Sequence, residues 1–212
     1  MTLTASDRAT LDRAGVLQTI GDWAMWRDTE RWDRLRSVYA PEATMAVSWF
    51  SGTASDFVTR CETMNKAAAN PIVSHHMLGG SQVELESDRA VAETRVSILM
   101  RLHVHGVECD VTAISRFHDR LVRAGDAWLI AHRVAVFEKD MIQPVVPGDT
   151  LLIDRAKFMG LPAAYRCCAY TLAERGMTVN TSLPAPGSPA LAALHAAGWD
   201  WLRTGSSAAA AA

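Results

Sequence analysis

Residues 72–140 place the strongest constraint on how this chain folds. Apolar and polar side chains alternate there with a period of two, in four extended segments at 72–86, 89–105, 107–122 and 127–140. Turn residues fall at the junctions: Ser87-Asp88, Gly106 and Ala124-Gly125-Asp126. A period of two sends successive side chains to opposite faces of a strand. In the second segment Thr94, Val96, Ile98, Met100, Leu102 and Val104 face one way, with Glu93, Arg95, Ser97, Arg101 and His103 opposite. Strands this long joined by tight turns predict a curved antiparallel sheet, with one face packed against helices.

Those helices come first in the chain. Ser6 or Asp7 can cap an opening helix whose stripe runs through Leu17, Ile20 and Ala24, and the next residue on that stripe is Asp28. A carboxylate thus stands where the pattern asks for an apolar group. Either Asp28 caps a second short helix at 29–39, or it points into a pocket, where a buried charge requires a cationic or imidazole partner. Pro41 stops the second helix. Met45, Val47 and Trp49 then alternate in a strand at 43–49, closed by Phe50-Ser51-Gly52. The spacing of Phe57, Cys61 and Met64 predicts a helix over 53–70, ending at Asn70-Pro71. The fold class is α+β, with one domain over 1–140. A Pro- and Gly-rich stretch after Asp140 opens an extension at 141–204, with helical pieces at 162–175 and 189–203, and 205–212 reads as a disordered tail. The extension either closes a pocket or embraces a neighbouring subunit.

Several function classes lack support. The 212 residues carry 21 basic and 23 acidic side chains, a formal charge of −2, without a basic stripe to track phosphates, so nucleic acid is not the expected partner. No run of roughly 20 apolar residues predicts a membrane span, and no basic segment followed by an apolar run marks a secretory signal, so a cytoplasmic location is the default expectation. The cysteines, Cys61, Cys109, Cys167 and Cys168, have no CxxC spacing and read as reduced, with Cys167 or Cys168 a minor candidate nucleophile. No phosphate-binding glycine loop and no GxSxG occurs. His103, His105 and Glu108 offer metal-ligand atoms, but alternation and the turn at Gly106 separate them, so neither a metal nor another cofactor is expected. His118-Asp119 and His132 read as surface groups.

His75-His76 opens the first long strand, and only one of the two can face the concave side. An imidazole oriented by a carboxylate is a competent general base near neutral pH, which makes Asp28 with either histidine a candidate dyad.

The order of parts, with RDTERWDRL, then SWFSG, SHHMLGG, VELESDRAVAET and DVTAISRFHDRLVRAGDAWLIAHR, resembles the SnoaL-like branch of the nuclear transport factor 2-like superfamily over about residues 9–140. That branch includes polyketide cyclases, scytalone dehydratase and a hexachlorocyclohexane dehydrochlorinase. The resemblance implies a cone-shaped α+β barrel, with a curved sheet wrapped around the N-terminal helices and an apolar pocket inside. It carries the lyases' essential Asp to Asp28 and their His to His76, 48 residues on, and places the family's arginine at Arg133. Asp110 matches the position of a further acid in some members. Trp26, Met45 and Trp49 are candidate walls, with His75 at the edge of the site. The expectation is a cofactor-independent lyase acting on a hydrophobic cyclic or aromatic small molecule, a dehydratase or a related elimination or retro-aldol enzyme. An isomerase or cyclase, or a binding module of the same fold, is the alternative. Related lyases are often trimers, and the resemblance implies a homo-oligomer, preferably trimeric.

Overall fold

A computed structural model describes residues 3–67 and 72–205. Helix α1 (Ala5–Asp28) starts from a capping box in which Thr4 and Asp7 exchange hydrogen bonds, and it buries Val16, Ile20, Trp23 and Ala24. Helix α2 (Trp32–Ser37) follows, then strands β1 (Tyr39–Val47) and β2 (Phe50–Thr53), and helix α3 (Ala54–Ala67). The expected end of α3 at Asn70-Pro71 lies outside the described residues. The four long strands are β3 (Val73–Glu86), β4 (Arg89–Val104), β5 (Val107–Ala124) and β6 (Ala127–Pro144), in the positions that the period-two pattern predicts. Phe50-Ser51-Gly52, expected as a turn, instead begins a short strand paired to β1.

The sheet order is β2-β1-β6-β5-β4-β3, with β1 parallel to β6 and every other pairing antiparallel. The outermost strands, β2 and β3, do not pair with each other, so the curved sheet is open and not a closed barrel. Two irregularities in the β5–β6 register and one in β3–β4, at Gly79-Gly80, add the local twist that curls it. Helices α1 and α3 fill the concave side, and the core joins Ile20, Trp23, Leu35 and Phe57 to Phe117, Ile130 and Phe137.

After β6 the extension returns to the domain. Helices α4 (Arg155–Met159) and α5 (Arg166–Glu174) are followed by α6 (Pro189–Thr204). The Asp140 carboxylate accepts the Cys168 backbone N–H at 2.7 Å, which ties the first turn of α5 to the sheet. The loop beyond α5 is pinned to the β1–β2 turn, where the Asn180 N–H donates to the Ser48 carbonyl at 2.8 Å.

Helix α6 lies on the other side of the sheet and corrects one expectation. His118 is not a surface group: it is 2% exposed, and a Cβ at Gly198 of α6 would stand 2.9 Å from its ring, so the bare glycine is what lets helix and imidazole meet. Asp119 is fully buried on the concave side, and His132 is half-buried with its Nδ1 2.7 Å from the Thr44 hydroxyl. Sequence alternation alone could not show that the extension would cover this face.

Burial pushes the His118 imidazole down to about 4. A histidine with a lowered folded-state pKa binds fewer protons folded than unfolded, so stability is complete above the ordinary value of 6.5 and falls as pH drops toward 4. A shift of this size corresponds to about 3 kcal/mol. Urea midpoints between these pH values should therefore decline in the native chain, and His118→Gln should flatten that decline. An unchanged slope in the variant would remove His118 as its source.

Candidate active site

Asp28 is the last residue of α1. A carboxylate there opposes the negative end of the helix dipole, so partners from outside the helix are needed to hold it. β3 supplies both. Asp28 Oδ2 accepts the His76 backbone N–H at 2.6 Å, and Oδ1 lies 2.6 Å from His76 Nδ1. The capping alternative is excluded: Arg31 occupies the N-cap of α2, which has no side-chain cap. Strand alternation selects the histidine. Ser74, His76 and Leu78 turn inward and are half-buried, whereas Val73, His75 and Met77 are exposed on the convex face.

A carboxylate can only accept, so the Nδ1 contact fixes the neutral tautomer with its proton on Nδ1 and leaves the Nε2 lone pair for the cavity. Burial lowers the His76 pKa, and the hydrogen bond and charge of Asp28 oppose that shift without overcoming it. The ring is therefore unprotonated at neutral pH. Trp23 stands edge-on to it, centroids 5.1 Å apart, and Phe117 lies 6.3 Å away.

His76 opens onto a cavity of about 120 Å³. Trp23 of α1, Trp49, Phe57 of α3, and Phe117 and Phe137 of the sheet form its apolar walls, while Cys168, Leu172, Arg175 and Met177 come from the extension. The extension thus contributes to the cavity wall. Cys168 is no nucleophile at neutral pH, because burial pushes its thiol up to about 12.

The structure places the remaining sequence candidates differently. Trp49 lines the cavity; Arg133 does not. The Arg133 guanidinium is fully buried, donates through Nε and Nη2 to the Asp119 carboxylate at 2.6 and 2.8 Å, and lies 4.2 Å from each of the Trp23 and Phe117 ring centroids. Residues 133, 135 and 137 share the concave face of β6, but Ala135 and Phe137 reach the cavity, and a step of two residues along a strand is about 7 Å. Arg133 is one step too deep. Met45 pairs with it in register and is buried beside the Tyr39 hydroxyl, outside the cavity for the same reason. Trp26 packs between the Arg31 and Arg34 guanidiniums, facing α2. Asp110 falls on the convex face, where Arg101 grips it through two 2.7 Å hydrogen bonds.

Sequence reasoning missed Trp23, Phe57, Phe117 and Arg27 on the domain side. Trp23 lies five residues before Asp28 in the same helix, and the crowding of aromatic and charged residues around it in DWAMWRD was the available signal. Nothing in the periodicity pointed to Leu172, Arg175 or Met177. Among the described residues no cluster of three or more metal-ligating side chains occurs; His105, once a metal candidate, instead meets the Tyr170 hydroxyl at 2.8 Å. Nor is any described helix long and apolar enough to cross a membrane.

The pattern of the SnoaL-like domain matches residues 8–134. The chain belongs to the SnoaL-like family. Its relatives include a PEP2-like protein of Fusarium vanettenii, 31% identical over 188 residues that make up 85% of this chain and 77% of that one. A dehydratase of Pestalotiopsis microspora is 36% identical over 91 residues, 40% of this chain and 57% of its own. Among solved structures, a type 2 hexachlorocyclohexane dehydrochlorinase (LinA) shares the fold with a TM-score of 0.55 at 15% identity, over 72% of this chain and 99% of its own. The SnoaL-like match ends before the extension, which therefore adds α5 and its loop to a cavity that the family's own segment leaves incomplete here.

Proposed function

We propose that this SnoaL-like protein is a cofactor-independent lyase that eliminates water from a small cyclic or aromatic molecule. The observation that carries the reading is the His76 imidazole, oriented by Asp28 at 2.6 Å, at the wall of an apolar cavity. Nε2 takes a proton from a substrate carbon next to an electron-withdrawing group, and the C–H electron pair becomes the new double bond as the C–O bond breaks. The imidazolium, balanced by Asp28, returns that proton to the departing hydroxyl, so water leaves and the dyad is restored. The same base would serve a retro-aldol cleavage, an isomerisation or a cyclisation. The dehydratase relative supports elimination as the first choice. Arg133 acts at one remove: its charge, behind Trp23 and Phe117, disfavours protonation of His76. A panel of cyclic and aromatic β-hydroxy carbonyl compounds, followed by loss of water in mass spectra, tests the reading. Turnover of a panel member supports it; ligands that bind without any turnover would favour a binding module.

We further propose that the protein assembles as a homo-oligomer, preferably a trimer, in the cytoplasm. On the convex face His75, Leu99, Thr112 and Met141 form one row in register across β3 to β6, flanked by Val73 and Met77, and the apolar members are 38–59% exposed. A row of this kind is a candidate subunit contact. Light scattering should give a mass of about three chains, and Leu99→Glu should lower it to one. A monomeric native chain would contradict this assembly.

A further inference from the structure

We propose that Arg27 and Arg175 form an anion-recognition pair on the cavity, so that its ligand is a single ring carrying a carboxylate. The inference rests on the cavity being the reaction site and names the substrate class it accepts.

Among the described residues, Arg27 and Arg175 are the Asp, Glu, Lys or Arg side chains on the cavity wall, and both are cations. They come from opposite ends of the fold: Arg27 directly precedes Asp28 in α1, and Arg175 follows α5 in the extension. Neither is held by a carboxylate among the described residues. Arg27 approaches the Cys61 thiol and sits 6.0 Å from the Trp32 ring centroid, contacts that leave its charge unneutralised. The nearby acids are committed elsewhere. Both Asp28 oxygens are taken by His76, and both Asp119 oxygens by Arg133.

Arg27 is half-buried without a counter-ion, an arrangement that a ligand carboxylate completes with the bidentate geometry that arginine favours, and Arg175, which lines the same cavity but is exposed, adds its charge from the solvent side. The apolar remainder of the site sets the rest of the ligand. An enclosed apolar cavity of roughly 150 Å³ holds benzene. At about 120 Å³ within aromatic walls, this one is no larger, so its apolar part takes at most a single ring, with the charged group outside it toward the arginines. A carboxylate anion does not itself acidify a neighbouring C–H, so the pair determines which molecule enters and how it lies.

The test uses unreactive probes, which separates it from turnover: benzoate and cyclohexanecarboxylate against benzamide and benzyl alcohol, with inorganic phosphate as a control, read by calorimetry and by quenching of Trp23 and Trp49 fluorescence. Charge-assisted hydrogen bonds predict carboxylates at least about tenfold tighter than the neutral probes. The R27Q/R175Q double variant should lose that preference, and R27K/R175K, which keeps the charges but not the bidentate fork, should retain only part of it. Unaltered circular dichroism would show that each variant is folded. His76→Gln should retain the preference, because the probes need no base. Equal binding of benzoate and benzamide, no binding of either carboxylate at millimolar concentration, phosphate as tight as benzoate, or a preference that survives R27Q/R175Q would each overturn the proposal. A carboxylate preference without turnover of any substrate would instead sink the lyase reading and leave the anion pair standing.

Discussion

His76→Gln is expected to reduce turnover by about two to four orders of magnitude, the range typical of a positioned general base, with the native fold retained. Glutamine preserves polarity and the backbone N–H that reaches Asp28. What it lacks is a basic nitrogen. Asp28→Asn should cost a comparable factor for a different reason. Asp28 accepts from two donors at once, the His76 N–H and Nδ1–H. An amide has one accepting oxygen and one donating NH₂, so it satisfies only one of them. Either the backbone bond is lost and the imidazole swings free, or the NH₂ faces Nδ1 and forces the proton to Nε2, which presents an acid where the reaction needs a base. A triad aspartate replaced by asparagine fails through the same tautomer error, at about 10⁴-fold. Steady-state rates on a substrate found by the panel decide the matter. Retention of more than half the native rate in both variants would remove the dyad from the mechanism.

Asp119→Asn should act on stability, not on the site. Arg133 and Asp119 are both fully buried, and removal of one partner leaves an uncompensated charge among Trp23 and Phe117, at a cost of about 3–5 kcal/mol. That is a large share of the stability of a domain, so the variant should unfold well below the native urea midpoint. Replacing both members, as in D119L/R133M, removes the stranded charge and should recover much of the loss. The outcome also discriminates between two roles for Arg133. Were it to touch substrate, R133M would abolish turnover even with the stability restored; positioned behind the aromatic layer, it should leave most of the rate in D119L/R133M.

The long strands were legible because four runs of alternation, each bounded by turn residues, leave few other solutions. The Asp28–His76 contact was legible through one polar residue on an apolar stripe and one histidine on an alternating strand, supported by the resemblance. Depth was not. Periodicity says which face a side chain takes, and the resemblance is what put Arg133 in the pocket, but neither says how far along a face the cavity extends. Met45 shares that row and the same fate. Asp110 needed the phase of β5, which Val111 and Ala113 fix by turning inward. The contributions of the extension were illegible for another reason: Arg175 and Met177 follow the last turn of α5, and their approach to the cavity depends on tertiary ties such as Asp140 to Cys168 and Asn180 to Ser48. His118 was misread for the same cause, since α6 covers it from 80 residues away in sequence at Gly198.

The central claim is that His76 stands in the cavity as a neutral base with its free lone pair on Nε2. Long-range proton–nitrogen NMR spectra of the ¹⁵N-labelled protein at neutral pH, with His76→Gln to assign the signals, test it most directly. The account predicts a protonated Nδ1 and a bare Nε2, with protonation of the ring only below the ordinary histidine value. A ring that carries its proton on Nε2, or one doubly protonated at neutral pH, would contradict it.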